Sequence, residues 1–238
     1  MTYGVGLLLD AGIVALSDTR TNAGVDNIST YRKMFVFEEP GERAIVLMTS
    51  GNLSVTQTVL GRLSEAIENP DATHETSIML AATMLDVAEI VGRTLHEVST
   101  SIGERMREPA HASLLLGGQR RGGPMRLFLI YPPGNFIEAT EDTPFLQIGE
   151  LKYGKPILDR VVRPATSLEE GRKVLLLSMD STIRSNLSVG MPLDLVTIRR
   201  DEYRVAGRER FEPGDPKFAA ISDAWSRALR EAFASMLD

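Results

Sequence analysis

The sequence contains no cysteine, so it has no disulfide framework, no thiol nucleophile and no cysteine-ligated metal. Histidine is almost as scarce. His74, His96 and His111 stand 22 and 15 residues apart, which fits neither a zinc site nor a Ser-His-Asp triad, and they read as structural or solvated. Aromatic residues make up only 6%, with a single tryptophan, Trp225. There is no excess of positive charge: 26 Lys and Arg stand against 32 Asp and Glu, for a net charge of −6. That balance argues against a nucleic-acid partner, which calls for a basic face. No apolar run is long enough to span a membrane. The opening MTYGVGLLLDAG lacks the basic flank of a secretory signal. The expectation is a soluble, cytoplasmic protein with no membrane partner.

What is present is an ordinary globular mixture, 43% apolar and 24% charged over 238 residues. With no repeat, low-complexity tract or linker, residues 1–238 read as a single domain. Tyr3 to Leu9 and Ile13 to Ser17 flank the turn signal Asp10-Ala11-Gly12, which predicts a hairpin. A second hairpin runs from Tyr31 to Phe37 and from Arg43 to Thr49 about Glu39-Pro40-Gly41-Glu42, and the polar stretch Thr21 to Thr30 between them reads as loop. Apolar residues from Leu53 to Ile67 recur at helical spacing, and a second helix is expected from about Ser77 to Met106. Strands return at Ala112 to Leu116 and Met125 to Tyr131, about the loop GGQRRGGP, then at Phe136 to Ala139 and Phe145 to Ile148. Helices over Lys152 to Val162 and Leu168 to Ser185, a strand over Asp194 to Arg199 and a last helix over Lys217 to Met236 complete the chain. The stripe of that last helix (Phe218, Ile221, Trp225, Leu229, Phe233 and Met236) reads as core packing or an oligomer interface. Blocks of strands alternating with pairs of helices predict an α+β fold of antiparallel sheets with separate helical layers.

The hairpins also bring chemistry together. Counting back from the first turn sets residue 2 roughly opposite residue 20. Counting from the second sets Lys33 opposite Met48, near the Ser50-Gly51-Asn52 turn into the first long helix. If the hairpins share a sheet, Thr2, Asp18, Lys33 and Gly51 converge at one end. A terminal threonine left by removal of Met1 carries its nucleophile and its base on one residue: Oγ attacks and the α-amine takes the proton. With an ordinary pKa of roughly 7.7–8.0, that amine is suited to general-base work. A lysine ammonium beside it lowers its pKa, Asp18 holds the lysine in place, and the Gly51 N–H offers a donor to an oxyanion.

Thr2, the block Ser17-Asp18-Thr19-Arg20, Lys33 and Gly51 together resemble the proteasome β-subunit superfamily of N-terminal nucleophile hydrolases. More narrowly, MTYGVG, SDTRTNAGVDNISTYRKM, TSGNLSVTQ, QIGELKYGKPILDR and SNLSVGMPLDLVTI resemble the bacterial Anbu (ancestral β-subunit) family, over most of the chain. The resemblance implies a four-layer αββα sandwich of two antiparallel sheets and peptide-bond hydrolysis by an N-terminal threonine. It casts Thr2 as nucleophile and base, Asp18 and Lys33 as the charge pair that tunes it, and Gly51 as oxyanion donor. Arg20, Thr21 and Thr49 are expected at the substrate channel. The chain departs from the superfamily in three places. Its Thr-to-Lys spacing is one residue shorter. In place of Asp-x-x-Ser-Gly it reads Ser185-Asn186-Leu187-Ser188-Val189-Gly190, where Asn186 or Ser185 replaces the aspartate and Ser188 keeps the hydroxyl. The serine of a Gly-Ser-Gly turn is missing, and Gln147-Ile148-Gly149-Glu150 stands there.

The expected function is therefore a threonine endopeptidase acting on peptide or unfolded protein through an acyl-enzyme on Thr2, with no metal or organic cofactor. The resemblance further implies a large homo-oligomer, open or spiral, and nothing in the residues implies an ATPase partner. Two alternatives differ in class: an amidase acting on a non-protein amide, and a weakly active or inactive self-assembling scaffold.

Overall fold

The computed structural model describes residues 1–23 and 27–236. Two five-stranded sheets, every pairing antiparallel, form its centre. The first takes β1 (Tyr3–Leu9), β2 (Gly12–Asp18), β10 (Phe145–Gly149), β11 (Leu193–Arg199) and β12 (Val205–Phe211) in the order β10-β1-β2-β11-β12. The second takes β5 (Met34–Glu39), β6 (Arg43–Gly51), β7 (Ala112–Arg120), β8 (Arg126–Ile130) and β9 (Phe136–Glu138) in chain order. A short ribbon pairs β3 (Arg20–Ala23) with β4 (Asn27–Thr30). The helices are α1 (Leu53–Glu68), α2 (Met84–Met106), α3 (Lys155–Val161), α4 (Leu168–Ser185) and α5 (Pro216–Ser235).

Side chains alternate across each strand, so a central strand sorts its residues into two cores. On β1 and β2, Tyr3, Val5, Leu7, Val14 and Leu16 pack under α3, α4 and α5. Ile13 and Ala15 face the other way and meet Val46, Met48, Leu115 and Leu127 of the second sheet. Ile45, Leu47, Leu114, Leu116 and Phe128 point outward again, under α1 and α2. Three stacked cores therefore make four layers, helix, sheet, sheet and helix, as the resemblance implied and in agreement with the element order. Fully burying each such aliphatic side chain contributes roughly 1.5–3 kcal/mol before the entropy of ordering it.

Several expectations need correction. The second helix begins at Met84, because Thr83 and Asp86 form a reciprocal capping box. The carbonyls of Ile78 and Ala81 instead accept from the buried Arg43 guanidinium at 3.0 and 3.1 Å. The stretch Thr21 to Thr30, read as loop, carries β3 and β4, and its residues 24–26 lie outside the described residues. β7 runs on to Arg120, so half of GGQRRGGP is strand, and the third helix covers only Lys155–Val161. The sequence reading contains no β12: in VAGRERF the half-buried positions include Gly207 and Glu209, which pairs with Arg172 of α4, so the edge strand shows no apolar alternation. The second hairpin turns about Gly41, pairing Glu39 with Arg43, so the register shifts by one and Lys33 meets Thr49 rather than Met48.

Candidate active site

Three neighbouring chain segments converge at one end of the sandwich. β1 begins at Tyr3, so Thr2 sits at its mouth, and β2 ends at Asp18. Lys33 precedes β5, which joins β6 and Gly51. All three polar side chains are buried: Thr2 is 6% exposed, Lys33 5% and Asp18 not at all. Lys33 Nζ donates to Asp18 Oδ1 at 2.8 Å, to the Met1 carbonyl at 3.2 Å and to the Arg20 carbonyl. Asp18 also accepts the Tyr3 N–H on Oδ1 at 3.1 Å and the Gly190 N–H on Oδ2 at 3.2 Å.

Burial pushes the Asp18 carboxyl up and the Lys33 ammonium down from their ordinary ranges, and the ion pair opposes both shifts. Three donors on Asp18 keep it the anion of the pair, which a buried ion pair requires. The Met1 α-ammonium is held below its ordinary 8.0, first by burial and then by the Lys33 charge, with Asp18 pulling the other way. A basic amine at this end of the sandwich is thus poised to lose its proton.

A cleft of about 280 Å³ opens over these residues, lined by Thr2, Thr21, Arg32, Thr49, Ser50, Gly51, Leu53 and Thr56 among others. Gly51 holds φ +109°, and a Cβ there would lie 2.5 Å from the His111 carbonyl oxygen. Only glycine suits that backbone. The Thr49 N–H donates to the Lys33 carbonyl at 2.9 Å. Strand alternation turns the Gly51 N–H, two residues on, to the same edge of β6, past the start of β5. Asn52 then caps α1, its Oδ1 accepting from the N–H groups of Ser54 and Val55, and the positive end of that helix lies beside the cleft.

The sequence-predicted residues divide. Thr2, Lys33, Gly51, Thr21 and Thr49 line the cleft, and Asp18 lies beneath it on Lys33. Arg20 is turned away. Its guanidinium donates to the Leu187 carbonyl at 3.0 Å and packs on Gly190, where a Cβ would lie 2.3 Å from Arg20 Cζ. Its carbonyl, not its charge, touches Lys33. Ser188 does not reach the cleft; its N–H donates to Asn186 Oδ1 at 2.9 Å. Asn186 Nδ2 lies 3.0 Å from Glu150 Oε2 and 3.2 Å from Met1 Sδ. Sequence reasoning missed Glu150, Tyr3 and Gly190. The last two act through backbone N–H groups, which no side-chain pattern announces. Among the described residues, no group of three or more His, Asp or Glu could hold a metal.

A family model described as proteasome subunit matches residues 2–198. The chain belongs to the proteasome-subunit family. Among solved structures it is similar to a Gly-1 mutant of Anbu from Hyphomicrobium sp. strain MC1, with 47% identity, 100% of each chain covered and a TM-score of 0.92. Anbu from Yersinia bercovieri gives 44% identity and a TM-score of 0.91, with 98% of this chain and 96% of that one covered. A helical assembly of the Anbu complex from Pseudomonas aeruginosa gives 44%, the same coverages and 0.90. No curated protein matched. Within the proteasome-subunit family the chain thus has the Anbu fold along its full length, and no helix among its described residues is long and apolar enough to cross a membrane.

Proposed function

We propose that this Anbu-type subunit is an N-terminal threonine peptidase that hydrolyses peptide bonds after removal of Met1. The observation that carries the reading is the contact of Lys33 Nζ with both Asp18 and the Met1 carbonyl, beneath a cleft that reaches Gly51. That carbonyl carbon is bonded to the Thr2 nitrogen, so loss of Met1 frees the amine beside the lysine charge. The neutral amine takes the Oγ proton as Oγ attacks the substrate carbonyl. The Gly51 N–H receives the developing oxyanion. The tetrahedral adduct collapses, the ammonium passes its proton to the leaving nitrogen, and an ester on Thr2 remains. The same amine then activates water to hydrolyse it. Thr21 and Thr49 border the substrate. The subunit works as a homo-oligomer, a reading supported by the helical assembly of its Pseudomonas relative.

The test is intact mass spectrometry before and after a peptide epoxyketone, a warhead that needs both Oγ and a free α-amine. The expected result is loss of Met1 and one adduct, absent in Thr2→Ala. Retained Met1, or a free Thr2 that never reacts, overturns the reading. It would leave the second one, a self-assembling scaffold without turnover, which the absence of Ser188 from the cleft lining favours.

A further inference from the structure

Glu150 follows β10, and its N–H donates to the Thr2 carbonyl at 2.7 Å. Its carboxylate is fixed at both oxygens by neutral donors: the Lys152 N–H on Oε1 and Asn186 Nδ2 on Oε2, each at 3.0 Å. Among the described residues no cation lies within salt-bridge distance of it. An anion held in place without a counter-ion invites one. The donor that holds it, Asn186 Nδ2, also touches Met1 Sδ at 3.2 Å. The carboxylate and the Met1 side chain thus share one amide. Removal of Met1 takes away that side chain and leaves a new positive charge, the Thr2 α-ammonium, on the residue whose carbonyl accepts the Glu150 N–H.

We propose that Glu150, positioned by Asn186, is the counter-ion of the Thr2 ammonium and sets the pH at which that amine becomes a base. The inference rests on the peptidase reading above. Burial and Lys33 depress an amine here against the smaller opposing pull of Asp18, as Met1 illustrates, and a depressed amine is a weak base. A carboxylate offsets that depression and stabilises the ammonium that forms when Oγ gives up its proton. The other charged groups at this end of the sandwich have partners of their own or line the cleft. Asp18 is bonded to Lys33, Arg20 is turned to Leu187, and Arg32 lies along the cleft wall. Glu150 is a positioning residue here, since it acts through the amine and touches no reacting carbon.

The test is the rate of epoxyketone adduct formation between pH 5 and 9, read by mass on molecules lacking Met1. Glu150→Gln keeps the side-chain size and the N–H to Thr2, and removes the charge. The expected result is a midpoint lower by about half to one pH unit, with a several-fold lower plateau. Glu150→Asp, which restores the charge, returns the midpoint toward the wild type, and Asn186→Ala, which frees the carboxylate, moves it part of the way. A merely structural role alters the rate and leaves the midpoint in place. An unmoved midpoint in Glu150→Gln, with the adduct still forming, overturns the inference and spares the peptidase reading. A wild type that forms no adduct overturns both.

Discussion

Lys33 Nζ lies 2.8 Å from Asp18 Oδ1 where both side chains are almost wholly shielded from water. Removing one partner strands a buried charge. Lys33→Ala is therefore expected to cost about 3–5 kcal/mol in urea unfolding. The double change Lys33→Met with Asp18→Asn should recover most of that loss. Neither variant should label with epoxyketone at better than about 10²–10⁴-fold below wild type, the range for losing acid-base assistance. A double variant as unstable as Lys33→Ala would show that the charges are not what couples these positions.

Tyr3 offers a pH test that is independent of activity. Its phenol is fully buried, 2.6 Å from Ser178 Oγ and 2.7 Å from Gln147 Nε2. Burial pushes its pKa from 10.0 up to about 12, against the pull of both hydrogen bonds. A pKa raised by folding stabilises fully below the unfolded value and is lost as pH rises through the folded one. Stability should fall by about 2–3 kcal/mol between pH 10 and 12 for this group. Tyr3→Phe should lack that component while losing about 1–2 kcal/mol at neutral pH from the unpaired amide. Equal alkaline slopes in the two proteins, by denaturant titration, would contradict the assignment.

Gly51→Ala tests the oxyanion donor in the proposed mechanism. The new Cβ must push away from the His111 carbonyl at a φ that alanine resists, costing about 1–3 kcal/mol. The N–H shifts with the backbone. Epoxyketone labelling should slow by about 100-fold or more, with Met1 still removed. Labelling within a few-fold of wild type would mean that another donor faces the oxyanion.

The last helix bears on assembly. Only Phe218 and Ser222 of α5 are buried; Leu229 is 50% and Phe233 66% exposed. Leu229→Glu with Phe233→Asp should change thermal stability little, as surface substitutions within ±0.5 kcal/mol do. It should lower the mass measured by light scattering if this stripe joins copies of the chain. An unchanged mass would locate the contact on another face.

How much of this the sequence foretold depends on where each signal resided. The amphipathic runs of α1 and α4 carried their own period and their bounds were legible, and the order of strands and helices pointed to antiparallel sheets with separate helical layers, while the count of four layers came with the family resemblance. Thr2, Asp18, Lys33 and Gly51 were legible as a set because two hairpins with recognisable turns bring their ends together. The register was not: one residue at the Gly41 turn decided whether Lys33 faces Met48 or Thr49. β12 was hidden because a charged edge strand looks like loop, and the start of α2 was misread because Arg43, distant in sequence, takes the carbonyls ahead of it.

Composition alone excluded thiol and disulfide chemistry, and local periodicity set the elements, because both are properties of neighbouring residues. Which groups stand within 3 Å of one another is a property of long-range packing, and only the tertiary structure decided it. It turned Arg20 to Leu187, left Ser188 outside the cleft, and brought Glu150, Asn186 and Met1 together from three distant segments. It also supplied Asp18 with two backbone donors that have no side-chain signature, since a peptide N–H is the same on every residue but proline until the fold aims it.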